Sequence, residues 1–354
     1  MILFVGYALT AEPATGDADG GDESKDEALE VVIEARRDAP VVSEQTLDRE
    51  RVLLTPGTFE AAVRLVQSLP GVAITPEYGP QAGDIAVRGA APWETRYLLD
   101  GIELPYLYHF NGYSSVFPAR LLDELVLYPS TFGAAYGDAT GAIIDTHSTW
   151  QRPTRPRASA NLNFVMAGGE FAVPSGDAWT ARGSARRSYL DFVQREDEQY
   201  TVFPVFSDWY GRFEFAPTGN ARWSLTGFGA ADHFTRYAGE PTALDTYEQA
   251  NNPAFAYEKS FNAVSLSHRH LFGTTRLDGS LAFTGYLQSG TLPTAYDRQF
   301  LSRLQLREYV TSSVAPWATL AGGIDAKAER LDLDVQTDRP WAEVERESTL
   351  LARG

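Results

Sequence analysis

From Pro156 nearly to the C-terminus, side chains alternate with a period of two, and no other feature constrains the fold as tightly. Ala160, Leu162, Phe164 and Met166 take one face, against Ser159, Asn161 and Asn163. Trp179, Ala181, Gly183 and Ala185 oppose Thr180, Arg182, Ser184 and Arg186, and Trp209, Gly211, Phe213 and Phe215 oppose Tyr210, Arg212 and Glu214. Leu277, Gly279, Leu281, Phe283 and Gly285 do the same against Arg276, Asp278, Ser280 and Thr284. An apolar face backed by a charged one is what a strand needs with lipid on one side and water on the other. Soluble sandwiches alternate too, so the connections decide. Turns at 174–177, 217–220, 272–274 and 315–317 are short, whereas polar stretches at 191–204, 237–257 and 289–299 are long. Short turns alternating with long loops is the pattern of a transmembrane antiparallel barrel. Trp179, Trp209, Trp223 and Trp317 are read as an aromatic girdle beside the turns. Nine strands are expected: 158–166, 169–174, 177–190, 205–216, 220–236, 258–271, 274–288, 300–314 and 317–334. The apolar phase slips by one after Arg330, which predicts a bulge there or a strand leaving the membrane.

A second texture precedes the alternation. Short β-type runs, VRG (87–89), LLDGIELP (98–105), ELVLYP (124–129), YG (136–137) and GAIIDT (141–146), are separated by Gly, Pro, Asn and Asp. Asp84–Gly89 and Thr95–Asp100 read as strands joined by a turn at 91–94, and Asp100-Gly101 reads as a hairpin turn. Pro118 opens a short helix ahead of the strand carrying Leu125 and Leu127. Upstream, Thr58 to Leu69 places Phe59, Ala62, Val63, Val66 and Leu69 on one helical face, ended by Pro70-Gly71. This is a small α+β unit with its own core. The order and spacing of these motifs, with SLPGV at 68–72, resemble the plug domain of TonB-dependent outer-membrane receptors.

That resemblance implies an α+β plug over 40–150, followed over 151–354 by part of an antiparallel transmembrane barrel. It implies plug–barrel contacts near Arg88, Gly89, Asp100, Gly101, Glu124, Tyr136, Gly137, Gly141 and Asp145. The family's plugs usually end in two adjacent glycines, whereas here Ala142 follows Gly141. Leu29, Glu30, Val31, Val32 and Ile33, within a segment spanning 27–39, resemble a TonB box. Such a box pairs by strand addition with the TonB-type energy-transducing protein in the periplasm. Read without the resemblance, the same run is the first strand of the next domain. Ahead of it, residues 1–26 read as a partial secretion signal followed by an acidic lead. Eight acids against Lys25 give the first thirty residues a charge of −7, too polar to bury a core.

Tyr106, Tyr108, His109, Asn111 and Tyr113 crowd one loop and Tyr78 lies in another. They are candidates either for ligand contact or for wedging the plug against its wall. The implied partners are outer-membrane lipid and a small-molecule ligand such as a ferric siderophore. A net charge of −17 argues against nucleic acid. The absence of Cys removes thiol nucleophiles, disulfides and thiolate metal sites. No catalytic constellation, cofactor motif or metal-ligand spacing is expected, and the chain does not read as an enzyme. A plugged lumen goes with about 22 strands, and nine would leave unpaired edges in lipid. The chain is therefore expected to be the N-terminal part of a receptor. A truncated product that does not transport, or a surface binding module, is the alternative.

Overall fold

A computed structural model describes residues 4–9, 44–55, 62–74, 84–109, 114–130, 132–193, 205–236, 255–292, 295–337 and 347–353. Phe4–Leu9 forms β1. The N-terminal unit then runs β2 (Gln45–Asp48), α1 (Arg49–Leu54), α2 (Ala62–Gln67), β3 (Val72–Ile74), β4 (Ile85–Val87), β5 (Thr95–Leu99) and β6 (Ile102–Leu104). It continues through β7 (Tyr108–His109), β8 (Ser114–Ser115), β9 (Leu122–Tyr128) and β10 (Ala142–Ser148). The second part holds β11 (Arg157–Leu162), β12 (Met166–Ser175), β13 (Trp179–Ser188), α3 (Leu190–Val193), β14 (Val205–Thr218) and β15 (Ala221–Arg236). It ends with β16 (Phe255–Phe272), β17 (Thr275–Leu292), β18 (Ala295–Ala315), β19 (Ala318–Thr337) and β20 (Glu347–Arg353).

The core of the N-terminal unit is a five-stranded sheet in the order β2-β9-β10-β5-β6. Its strands are buried on both faces, which is why Leu125, Val126 and Leu127 are all inaccessible and the run does not alternate. The hairpin turn at Asp100-Gly101 joins β5 to β6 with φ of 51° and 82°, the left-handed pair that a two-residue turn requires. The two runs joined by the turn at 91–94 pair with different partners. β4 pairs with β3 in a separate ribbon, while β5 joins the main sheet parallel to β10. The Pro92–Glu94 single-turn helix redirects the chain between them, and Glu94 accepts from the Ala91 amide at 2.7 Å. Pro118 precedes a 3₁₀ turn at Ala119–Leu121.

Helix α1 had no strong periodicity to announce it. Its start is set by Asp48, whose carboxylate accepts from the Arg51 amide at 2.7 Å. Asp48→Ala is expected to cost about 1 kcal/mol, read as a lowered denaturation midpoint; an unchanged midpoint would show that the cap contributes nothing.

The nine strands β11 to β19 follow one another as antiparallel neighbours, and β1 and β20 lie along the remaining edge of β19. Phe4–Leu9, read from sequence as the apolar part of a secretion signal, is the strand beside Thr319–Gly323. Among the described residues the ladder does not close, since β11 pairs with β12 alone. Trp209, Phe213, Leu225, Val264, Leu266, Leu281, Phe283, Leu304 and Leu306 are exposed, while Asp208, Arg212, Thr226, Ser265, Thr284 and Gln305 between them are buried. This inverts a water-soluble sheet. The apolar face looks out and the polar face is covered by the N-terminal unit.

Four local expectations are corrected. The first hairpin turns at 163–165, because Asn163 accepts from the amides of Val165 and Met166, both at 2.9 Å; Met166 is thereby buried while Leu162 and Phe164 are exposed. The polar stretch 289–299 is mostly strand, since β17 and β18 run on to pair Leu292 with Ala295. Strands of 18 and 21 residues outlast the roughly 9–11 that cross hydrocarbon, so their ends are polar on both faces. No bulge occurs at Arg330: β19 keeps register with β18 from Ser313 to Ala295, and the irregularity lies at the turn, between Ser313 and Ala315. Trp209 sits toward the loop end of β14, not beside the turn, and donates to Asn262 at 3.1 Å.

Residues 149–156 carry the chain from β10 to β11. Trp150 lies under the Arg212 guanidinium, 4.1 Å from its ring centre, with Arg222 at 4.8 Å. Arg182 donates to the Gln151 carbonyl at 3.2 Å, and Arg152 donates to the carbonyls of Gly176 and Asp177.

Candidate functional site: the face between the two parts

The N-terminal unit meets the polar face of the sheet through three buried clusters, each led by one acid or histidine on a short hairpin. The first is Asp100. Its left-handed backbone aims the carboxylate back at Ser148, whose amide and hydroxyl donate at 3.0 and 2.8 Å. The same carboxylate pairs with Arg212 of β14, which also donates to Thr226 at 3.1 Å. Next to it the Gly101 carbonyl accepts from Arg307 of β18 at 3.0 Å, and the Ala135 carbonyl accepts from the same guanidinium at 2.9 Å. A side chain at Gly101 would strike that guanidinium, its Cβ falling 2.9 Å from the nitrogen.

Glu103 leads the second cluster. Arg303 and Lys327 approach its carboxylate at 3.2 and 2.9 Å from β18 and β19, and Arg96 pairs with it from within its own unit. Its amide donates to Gln305 at 3.3 Å. Burial pushes the carboxyl pKa up, but Arg303, Lys327 and Arg96 together outweigh burial and hold it below the usual glutamate value.

His109 leads the third. It is wholly inaccessible, with Asp232 of β15 on Nδ1 and Asp208 of β14 3.1 Å from Nε2. Nearby, Tyr106 packs edge-on against Phe261 at 5.0 Å, and the Lys259 ammonium lies 4.1 Å above its ring. Tyr97, Tyr106, Tyr108, Tyr257, Tyr286 and Arg303 line a cavity of about 840 Å³ between the two parts.

The residues expected at this face divide. Asp100 and Gly101 touch the sheet. Arg88 stays within its unit, donating to Ser130 at 2.7 Å from a left-handed backbone (φ 51°), and Gly89 follows at 81°. Glu124 lies on β9 opposite Asp48 and His147. Tyr136 donates to Asp145 at 2.7 Å, though both face the sheet across a cavity of about 260 Å³. At Gly141 a Cβ would fall 2.9 Å from the Ala90 Cβ and 3.1 Å from the Glu94 carbonyl, whereas Gly137 lies in open space. The methyl of Ala142 is fully buried in the core. Tyr106, Tyr108 and His109 are buried against the sheet. Tyr78, Asn111, Tyr113 and the segment Leu29–Ile33 lie outside the described residues.

Sequence reasoning missed Glu103, Asp208, Asp232, Arg303 and Lys327. The available signal was phase. Arg186, Asp208, Arg212 and Asp232 are all charged, and all fall on the face opposite the tryptophans. Phase alone does not tell which residue of the N-terminal unit each one meets.

Residues 40–143 match the family described as TonB-dependent Receptor Plug Domain. The N-terminal unit is a TonB-dependent receptor plug domain. Most of the chain shares its fold with solved outer-membrane receptors at low identity. Pseudomonas aeruginosa FpvA, crystallised with a heterologous pyoverdine and iron, matches with a TM-score of 0.61 at 13% identity, covering 85% of this chain and 44% of that one. The ferric enterobactin receptor PfeA of the same organism, an R480A mutant in complex with enterobactin, gives 0.59 at 13%, covering 84% and 50%. The Bordetella pertussis alcaligin receptor FauA gives 0.58 at 13%, covering 85% and 49%. The chain spans about half the length of these structures or less. No curated protein matches the sequence. The plug and the nine-stranded wall that holds it are thus the fold of such a receptor's plug and part of its barrel.

Proposed function

We propose that the chain acts in an outer-membrane receptor that takes up a small-molecule ligand when its plug is moved by a TonB-type energy-transducing protein. The carrying observation is the plug itself, seated through buried ion clusters on the polar face of a wall whose other face is apolar. An apolar outer face calls for lipid, which supports a place in the outer membrane of a Gram-negative bacterium. The tyrosine-lined cavity of about 840 Å³ has the size of a small-molecule site. The siderophore receptors among the solved likenesses make a ferric siderophore the first ligand class to test. Leu29–Ile33 is the segment we assign to coupling, since a β-prone run beyond an acidic lead suits strand addition. Energised movement of that segment would rearrange the plug and let the ligand pass toward the periplasm.

The test begins with coupling. A peptide spanning residues 28–36 is expected to bind the C-terminal domain of the energy-transducing protein, measured by calorimetry. Val32→Pro removes a ladder donor and should weaken binding at least about tenfold. Equal affinity of the two peptides would sink the assignment.

A further inference from the structure

His109 carries more information than a packing contact. Both of its ring nitrogens face carboxylates: Nδ1 meets Asp232, and Nε2 lies 3.1 Å from Asp208. An ionised carboxylate only accepts, and a neutral imidazole has one N–H, so two donated bonds require both nitrogens to carry protons. Each of those carboxylates also has a cation beside it. Arg186 of β13 donates to Asp208 at 2.9 Å and also to the Ser115 carbonyl on β8. Lys259 of β16 lies 3.4 Å from Asp232. From the plug, Tyr106 and Tyr108 face Lys259, and Tyr108 donates to Asp84. Phe206 stacks on the imidazole at 4.6 Å and supplies no charge, and His233, beside Asp232, is exposed. Asp208 and Asp232 thus face Arg186, Lys259 and His109, while Asp84, its carboxyl pushed up by burial, lies behind Tyr108. The third positive charge is present only when His109 is protonated.

We propose that His109 is a buried imidazolium clamp that fastens the β7–β8 hairpin of the plug to β14 and β15, so that this contact loosens when the proton leaves. The inference rests on the seating of the plug and not on which ligand is carried. Burial alone disfavours the charged ring, but Asp232 and Asp208 outweigh it and raise the pKa above the ordinary histidine value. The sign follows. A group whose folded pKa is raised contributes fully below its unfolded value of about 6.5, and the contribution is lost as pH rises through the folded value. Alkaline conditions open the clamp and mild acid keeps it shut. A displacement of the hairpin that separates the ring from one carboxylate would also lower its pKa and shed the proton, so loosening by pull and loosening by base are the same event.

The test uses the full chain in detergent with ¹⁵N-labelled histidine, the His109 signals being assigned by their absence in His109→Gln. At about pH 7.5, a unit above the ordinary histidine value, both His109 ring nitrogens are expected to bear protons. A bare nitrogen there overturns the proposal, and that is also the result expected if a neutral ring faced a protonated aspartate. The chain has no cysteine, so Ser114→Cys places a single thiol on β8. Its labelling rate, normalised to a Thr218→Cys control, should rise at least about tenfold through the pH range in which the His109 signals change. His109→Gln should label fast at every pH. Asp232→Asn keeps the volume but removes one carboxylate, and should move both the His109 titration and the labelling step to lower pH by about one unit or more. Labelling that stays flat through the titration, or a midpoint unmoved in Asp232→Asn, overturns the clamp. Failure of peptide coupling leaves these outcomes unaffected, so the two readings fail separately.

Discussion

Glu103→Ala is expected to lower the stability of the seated plug by about 3–5 kcal/mol, because removing the acid shared by a buried ion cluster leaves its cations under-compensated. Arg303 would keep only Glu329, at 2.5 Å, and Lys327 only Asp138, at 3.6 Å, and Arg96 would lose its carboxylate partner. Glu103→Gln separates charge from shape, since it keeps the volume and two hydrogen-bonding groups. It should therefore fall between wild type and Ala. The acid limb has a definite sign. The folded carboxyl pKa is depressed, so the stabilisation is present above the unfolded value of about 4.3 and is lost as pH falls through the folded one. Urea denaturation of the purified chain at neutral pH and at lower pH would measure this. A loss under about 1 kcal/mol in Glu103→Ala would show that the cluster is solvated in practice and behaves like a surface pair.

Leu127→Ala should be comparably severe but confined to the plug. Leu127 is fully buried on β9, between β2 and β10, and deleting its isobutyl group leaves a cavity in a double-faced sheet that cannot collapse. The expected cost is about 2–5 kcal/mol. Hydrogen exchange locates it: amides of β9, β10 and β5 should exchange faster, while those of β15 to β17 keep their protection. Equal acceleration in plug and wall would mean that the two unfold as one unit through the apolar contact they share around Tyr106 and Phe261.

Much of the wall was legible because lipid and water impose opposite demands on neighbouring residues. The phase of Trp209, Phe213, Leu281 and Phe283 fixed which face looks out before any pairing was known. Strand ends were less legible. Beyond the hydrocarbon both faces are polar, so Ser289–Gln299 read as loop although most of it is strand. Inside the plug, alternation failed as a guide because Leu125, Val126 and Leu127 are all covered. There the turn residues Asp100 and Gly101 carried the reading instead. The buried clusters were the least legible part. Glu103 meets Gln305 and Lys327 from 202 and 224 positions away, and nothing local to either residue encodes that meeting. His109 was read with its neighbouring tyrosines as a candidate for ligand contact or for wedging the plug, but its two aspartates lie on strands whose register is set by lipid, far from the plug in sequence.

The short link at 149–156 pins the C-terminal end of the plug to the wall. Fully extended, such a link reaches on the order of 30 Å, and Trp150, Gln151 and Arg152 are each held against the wall. A pull on the opposite terminus would therefore act as a torque about that anchor. The His109 clamp, seated on Asp208 four residues along β14 from Arg212, would have a longer lever arm than Asp100, whose partner Arg212 lies against Trp150, and would yield before it. Motion of this kind peels the plug open in a set order, and the order is written in how far each cluster stands from Trp150.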